Sequence, residues 1–251
     1  MSTTLLASLL IRKLERFEPW SADERQSVLD AIDSTLRLPA HAHLVQEGEI
    51  SAGIHVVLEG FACGYKLLPD GRRQIVSYCI PGDLCDLRVT LLPRMDCAIG
   101  TISQALIARL SRERFRAITL QFPRLARAFW KTALIEQAIA REWLINVGQR
   151  TAFSRAAHLL CEMFLRLQAV GLVQENTCEF PLTQTEIADT LALSTVHVNR
   201  TLMELRRSGL ITLRDKQLTI HHLPALEAAA GFAPGYLHLE ATLDDDATAA
   251  T

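Results

Sequence analysis

Leu182-Thr183-Gln184-Thr185-Glu186-Ile187-Ala188-Asp189-Thr190-Leu191-Ala192-Leu193-Ser194-Thr195-Val196-His197-Val198-Asn199-Arg200-Thr201-Leu202, followed by Gly209-Leu210-Ile211 and the run to Ile220, decides the fold of this chain. Thr183 to Glu186 has the form of a capping box, with a hydroxyl at the helix entry and a carboxylate three residues on. It predicts a short helix through Ile187, Ala188 and Leu191. Ala192-Leu193 makes a tight corner. Ser194 is a second helix entry, and Val198, Leu202 and Leu205 supply that helix with one apolar stripe. Gly209 stops it. Two short helices across a turn of a few residues form a helix-turn-helix. Leu210–Leu213 and Gln217–His221, around Arg214-Asp215-Lys216, read as the two strands of a wing.

That geometry carries chemistry. The second helix of such a pair enters the major groove with its N-terminal residues toward the base edges. With Val198, Leu202 and Leu205 facing inward, Thr195, Val196, Asn199 and Arg200 face outward. Arg200 can donate two hydrogen bonds to guanine, and Asn199 can bond adenine in the same bidentate way. Val196 and the Thr195 methyl suit a thymine methyl. Thr183, Ser194, His197, Arg206 and Arg207 complete the expected DNA-binding set, with His197, Arg206 and Arg207 toward phosphates. The whole chain has a net charge of −2, so composition gives no nucleic-acid signal. The local field at the contact face is what matters, and Arg200, Arg206 and Arg207 lie on or just after one helix.

Upstream the pattern changes. Ser21 to Glu24 is another capping box, opening a helix through Val28, Leu29 and Ile32. From Leu36 short apolar runs alternate with turns: Leu44-Val45, Ile54–Leu58, Phe61–Leu68, Gln74–Ile80, Ala98–Ile102 and Ala105–Leu110, with Gly48, Gly60, Gly71 and Gly82 at corners. Closely spaced short strands argue for an all-β roll. Beyond Phe115, Leu125, Phe129, Leu134, Ile135, Ile139, Leu144 and Ile145 cover more than one stripe of a long helix ending at Gly148. Such a helix is buried on two sides: one side suits the roll and the other a second copy of the chain. A further helix is predicted from Ser154 to Val170.

The reading is therefore α+β. An N-terminal β-roll sensor with its preceding helices occupies residues 1–118. A dimerisation helix spans 119–148, a winged helix-turn-helix 149–225, and a tail 226–251 whose end, from Leu243, reads as disordered.

These residues resemble the Crp/Fnr superfamily of bacterial regulators. Besides the quoted helix-turn-helix, Glu47-Gly48-Glu49, Val57-Leu58-Glu59-Gly60 and Pro81-Gly82-Asp83 are similar to the glycine corners of that family's cyclic-nucleotide-binding-type roll. The resemblance implies homodimers on near-palindromic double-stranded DNA that control transcription initiation through RNA polymerase. Three departures stand out. The cyclic-AMP cassette's Gly-Glu is replaced by Gly82-Asp83, and Asp96 stands where its phosphate-binding arginine belongs, leaving Arg88 or Arg94 as substitutes. Together these speak against a cyclic nucleotide. No cysteine precedes Cys63, which speaks against the family's N-terminal iron–sulfur cluster. The usual turn glycine is Ala192. Haem stays open, because one axial histidine leaves no spacing signature.

The remaining residues set further expectations. The six cysteines form no C-x-x-C pair and suggest no metal site. Cys85 and Cys97 flank the cassette and Cys178 precedes the helix-turn-helix, so these three are the redox candidates beside the default of buried thiols. His41 and His43 read as surface residues. No apolar run approaches the roughly 20 residues that span a bilayer, and Leu5, Leu6, Leu9 and Leu10 lack the flanks of a signal peptide. The expectation is a cytoplasmic protein without membrane contact. No catalytic motif is present, so the chain does not read as an enzyme.

Overall fold

The computed structural model describes residues 3–92 and 94–239, with side chains from residue 7 onward. Two helices open the chain: α1 (Thr3–Glu15) and α2 (Ala22–Asp30). The Ser21 box forms as read, its hydroxyl accepting from the Glu24 amide while the Glu24 carboxylate accepts from the Ser21 amide. Ile32 lies outside α2 and instead starts a strand.

Among the described residues, seven strands make the roll: β1 (Ile32–Leu38), β2 (His43–Val45), β3 (Gly53–Glu59), β4 (Ala62–Leu67), β5 (Arg73–Cys79), β6 (Ala98–Thr101) and β7 (Ala105–Ser111). They form two antiparallel sheets, β1-β7-β3 and β2-β6-β4-β5. At two corners the left-handed backbone calls for glycine. Gly60 has φ +75°, and a Cβ there would meet the Gln104 carbonyl at 2.1 Å. Gly82 has φ +90°, and a Cβ there would press on the Leu9 carbonyl of α1 at 3.1 Å. The Pro81-Gly82-Asp83 corner is thus fitted to the N-terminal helix.

After β7 come α3 (Arg112–Gln121) and α4 (Pro123–Gln149). Proline sits at the first turn of α4, where its missing N–H costs nothing. Gly148 is carried within α4, which ends one residue later. Leu125, Ala128 and Phe129 bury against the roll, with Phe129 on Phe115 at 4.6 Å between ring centroids.

α5 (Ala152–Ala169) is capped by Thr151, followed by β8 (Val173–Gln174) and β9 (Thr177–Glu179). Next are α6 (Gln184–Leu191), α7 (Thr195–Arg207), β10 (Ile211–Arg214), β11 (Gln217–Ile220) and α8 (Leu223–Ala230), with a 3₁₀ turn at Pro234–Leu237. The wing is larger than the expected hairpin. β8 and β9 extend it to a four-stranded sheet ordered β10-β11-β9-β8. Such short strands carry too few residues to show alternation. The wing turn places Asp215 and Lys216 at φ +50° and +60°, the two-residue hairpin geometry that matches strand twist.

One core runs from the roll into the C-terminal half. Tyr65, Ile75 and Tyr78 of the roll share a cluster with Leu160 and Phe164 of α5 and with Ile187 and Leu191 of α6. Truncating one of these, such as Leu160, costs about 2–5 kcal/mol. In the C-terminal segment Leu226, Ala230 and Leu237 are buried. The predicted disorder from Leu243 onward lies outside the described residues.

Candidate nucleic-acid interface and sensor cavity

α6 and α7 are positioned by their own ends. The Thr183 hydroxyl accepts from the Glu186 amide at 3.2 Å, and the Glu186 carboxylate accepts from the Thr183 amide at 2.7 Å. Ser194 caps α7 by accepting from the His197 amide at 3.2 Å. Between the helices Ala192 adopts φ +52°, ψ +46°, so alanine holds the left-handed turn that glycine would adopt freely. Val198, Leu202 and Leu205 are buried as expected, while Thr195, Val196, Asn199 and Arg200 are exposed, Val196 at 78%. His197 is half-buried and Arg207 exposed.

Two polar contacts refine this surface. The Asn199 amide donates to the Gln184 carbonyl oxygen at 3.1 Å, fixing its rotamer from α6. The sequence reading omitted Gln184, which is exposed beside α7. Arg206 donates to the Leu213 carbonyl at 3.1 Å and so ties α7 to the wing as well as facing solvent.

The expected ligand cassette lines a cavity of about 400 Å³ between the roll, α1, α4 and α5, closed by Leu237 and Leu239 of the C-terminal segment. Asp83, Arg88 and Asp96 border it; Arg94 instead donates to the Gly48 carbonyl at 2.9 Å, and Gly82 forms the corner under α1. Asp96 is not left as an unpaired carboxylate. Arg88 bonds Asp86 at 3.1 Å and Asp96 at 2.5 Å. With Arg88 engaged by two carboxylates, this wall does not fit an anionic cyclic phosphate. Among the described residues no group of three or more His, Cys, Asp or Glu is placed to hold a metal ion.

Asp83 has a different task. It pairs with Lys13 of α1, and its other oxygen accepts from the Ile80 amide at 2.9 Å and from Arg166 of α5 at 2.8 Å. Arg166 also donates to the Tyr78 carbonyl at 2.7 Å and pairs with Glu162 at 3.3 Å. Glu162 is fully buried and accepts from the Trp143 indole at 3.0 Å and the Tyr236 hydroxyl at 2.8 Å. Burial raises its pKa above the usual carboxylate range, while the Arg166 charge and these donors act the other way. Burial, with Arg166 nearby, lowers Lys13 to about 7. The network joins the roll corner to α1, α4, α5 and the C-terminal segment.

A second set of contacts docks α6 on the roll. Tyr78 and Thr190 share a hydroxyl hydrogen bond of 2.6 Å, Gln74 donates to the Thr190 carbonyl at 3.1 Å, and Arg73 bonds Asp189 at 2.7 Å. His41, exposed as expected, lies 3.5 Å from Glu186. His43 is held by Tyr65 at 2.7 Å. Of the redox candidates, Cys85 and Cys97 border the cavity, and Cys178 is buried in β9.

Comparison with known proteins agrees with this arrangement. Residues 154–229 match the Crp-like helix-turn-helix domain, and residues 35–122 match the cyclic nucleotide-binding domain. The nitrogen fixation regulation protein FixK of Bradyrhizobium diazoefficiens is 32% identical over 184 residues, covering 73% of this chain and 76% of the relative. The chain belongs to the Crp/Fnr family. The transcriptional activatory protein AadR of Rhodopseudomonas palustris is 30% identical over 173 residues, covering 68% of this Crp/Fnr chain and 70% of the relative. In fold, FixK2 from Bradyrhizobium japonicum superposes with TM-score 0.71 at 24% identity, over 84% of this chain and 98% of that one. This Crp/Fnr protein is a DNA-binding regulator of transcription and not an enzyme. None of its described helices is long and apolar enough to cross a membrane.

Proposed function

We infer that the protein works as a homodimer on a near-palindromic operator, reading bases with the helix that starts after Ser194. The observation that carries this is the exposed edge of α7, where Thr195, Val196, Asn199 and Arg200 stand clear of the core while Val198 and Leu202 anchor it. Arg200 and Asn199 read purines, Thr195 and Val196 meet a thymine methyl, and Thr183, His197, Arg206 and Arg207 hold phosphates.

The dimer rests on α4. Trp130, Leu134, Gln137, Arg141, Leu144 and Gly148 recur at alternating intervals of four and three, the spacing of a coiled-coil seam. Within one chain Trp130 is 64%, Leu134 54% and Leu144 75% exposed. Large apolar groups on one edge of a helix in this state suit a second copy of the same helix. Residues 1–118 then form the sensor, 119–148 the dimer helix, 149–225 the DNA-binding unit and 226–251 the tail. The name of one relative, a transcriptional activatory protein, favours activation; the partner for that role is RNA polymerase, as the family resemblance implies.

Footprinting on the promoter beside the protein's own gene tests the reading. The expected result is a protected site with two half-sites, one helical turn apart, and binding that falls steeply with salt. Failure to outcompete random DNA in both reduced and oxidised protein would refute it.

A further inference from the structure

The cavity between the roll, α1, α4 and α5 has apolar walls, Phe17, Leu84, Ile139, Val170 and Leu237 among them. Most of the cations that border it are engaged. Lys13 pairs with Asp83, Lys66 with Glu47, Arg88 with Asp86 and Asp96, and Arg166 with Asp83 and Glu162. Arg16 of α1 is the exception. Among the described residues it has no ion pair. Its guanidinium lies over the Phe17 ring, 5.7 Å from the centroid, and its Nε is buried without a hydrogen-bond partner. Of the carboxylates on the wall, Glu136 of α4 is also without an ion pair or hydrogen bond among the described residues.

These two groups are not equivalent. A carboxyl sheds its charge by taking up a proton. Glu136 is accessible from the cavity, yet protein encloses it closely enough that desolvation lifts it to about 7, against the pull of Lys13 and Arg166. A guanidinium stays charged in a protein. Its buried N–H without an acceptor is costly, and only an incoming acceptor satisfies it. The Arg88 wall limits how much negative charge can enter, because two carboxylates against one guanidinium leave it net negative. That disfavours a doubly charged phosphate. A single carboxylate brings less charge, and its two oxygens match the guanidinium fork. A cavity of about 400 Å³ with this lining takes a small organic body.

We propose that the cavity binds a small monocarboxylic acid with an apolar body, its carboxylate on Arg16 and its body against the apolar lining, and that occupancy sets DNA affinity through β5. Tyr78 of β5 borders the cavity, and its hydroxyl shares the 2.6 Å hydrogen bond with Thr190 of α6. Gln74 of the same strand holds the Thr190 carbonyl. A molecule seated against Tyr78 therefore acts on the contact that docks α6. The effect on DNA affinity rests on the regulator reading above; the acid site does not.

Calorimetry on the full chain tests the site with probes that share one body: phenylpropionate, phenylpropanol, phenylpropylamine and phenylalanine. Phenylpropionate is expected to bind, with the alcohol and the amine weaker by about tenfold or more. Arg16→Gln should weaken phenylpropionate by a similar factor. Should that variant fail to fold, Arg16→Lys keeps the charge and loses the fork; it should bind phenylpropionate more weakly than the parent. Decanoate distinguishes a chain from a ring, and Arg16-dependent binding of either acid supports the site. Tighter binding of the amine or of phenylalanine than of phenylpropionate would overturn it. So would equal affinity for the alcohol, no binding of either acid, or acid binding indifferent to both Arg16 variants. Operator binding is then measured with and without saturating acid. The expected change is about fivefold or more, and smaller in Thr190→Val, which lacks the hydroxyl that Tyr78 bonds. Acid binding with no change in operator affinity refutes the coupling. Loss of specific DNA binding with and without acid refutes the regulator reading, and leaves calorimetry to judge the acid site.

Discussion

Replacing Ala192 with glycine should stabilise the protein without altering its DNA sequence preference. Ala192 closes α6 with φ +52°, ψ +46°, and its amide bonds the Ala188 carbonyl. A residue bearing a Cβ loses about 1–2 kcal/mol in this left-handed conformation. Glycine removes that strain but gains freedom in the unfolded chain, which offsets about 0.4–1 kcal/mol. The methyl group is exposed, so little packing is lost. The net expectation is a gain of about 0.5–1 kcal/mol. At about 2–4 °C per kcal/mol for a domain of this size, the melting temperature rises by about 1–4 °C. Calorimetry and urea unfolding at fixed protein concentration would measure it. Operator affinity should stay within about twofold, since the caps at Thr183 and Ser194 hold the two helices independently. A lower melting temperature in Ala192→Gly would refute the claim that this turn is strained by its side chain.

Three further outcomes follow from the same geometry. Arg200→Ala should weaken operator binding by about 1–3 kcal/mol and relax preference at one base pair, read by a gel shift against single-position operator variants. Leu134→Asp together with Leu144→Asp should convert the dimer to monomer in sedimentation and abolish operator binding, because a charge on the seam must be desolvated for the helices to meet. His158 is buried in α5, against Phe232 and Tyr236, and burial together with the nearby Arg150 lowers it to about 4, opposed by Glu142. The unfolded chain therefore takes up a proton below its ordinary value near 6.5 that the folded one refuses. This contribution is complete above about pH 6.5 and is lost toward pH 4, with a slope of up to about 1.4 kcal/mol per pH unit. Urea titrations across that window should be flatter in His158→Phe; an unchanged slope would exclude this histidine.

Most of the exposed edge of α7 was legible because its signals are local. A hydroxyl and a carboxylate three residues apart at Thr183 and Glu186 form a cap with each other. The repeat of Val198, Leu202 and Leu205 decides which edge of α7 is left for solvent. The strand runs and glycine corners of the roll were readable for the same reason. The two-residue strand β8 and its partner β9 were not, since so few residues cannot display a period. Asp83 and Asp96 were read as a damaged phosphate cassette, and their partners, Arg166 and Arg88, changed what they mean.

Sequence alone determined the order of roll, long helix and winged helix-turn-helix and the outward residues Thr195, Val196, Asn199 and Arg200, because caps, turns and periodicity act between residues only a few positions apart. Tertiary structure decided that α6 rests on the roll through Tyr78 and Thr190, and that Glu162 and Arg166 share a buried network with Asp83. The contacts of Tyr78 with Thr190 and of Asp83 with Arg166 join residues 112 and 83 positions apart. No local preference encodes such contacts; they exist only because burying the shared apolar core brings those surfaces together and obliges the polar groups caught between them to find one another.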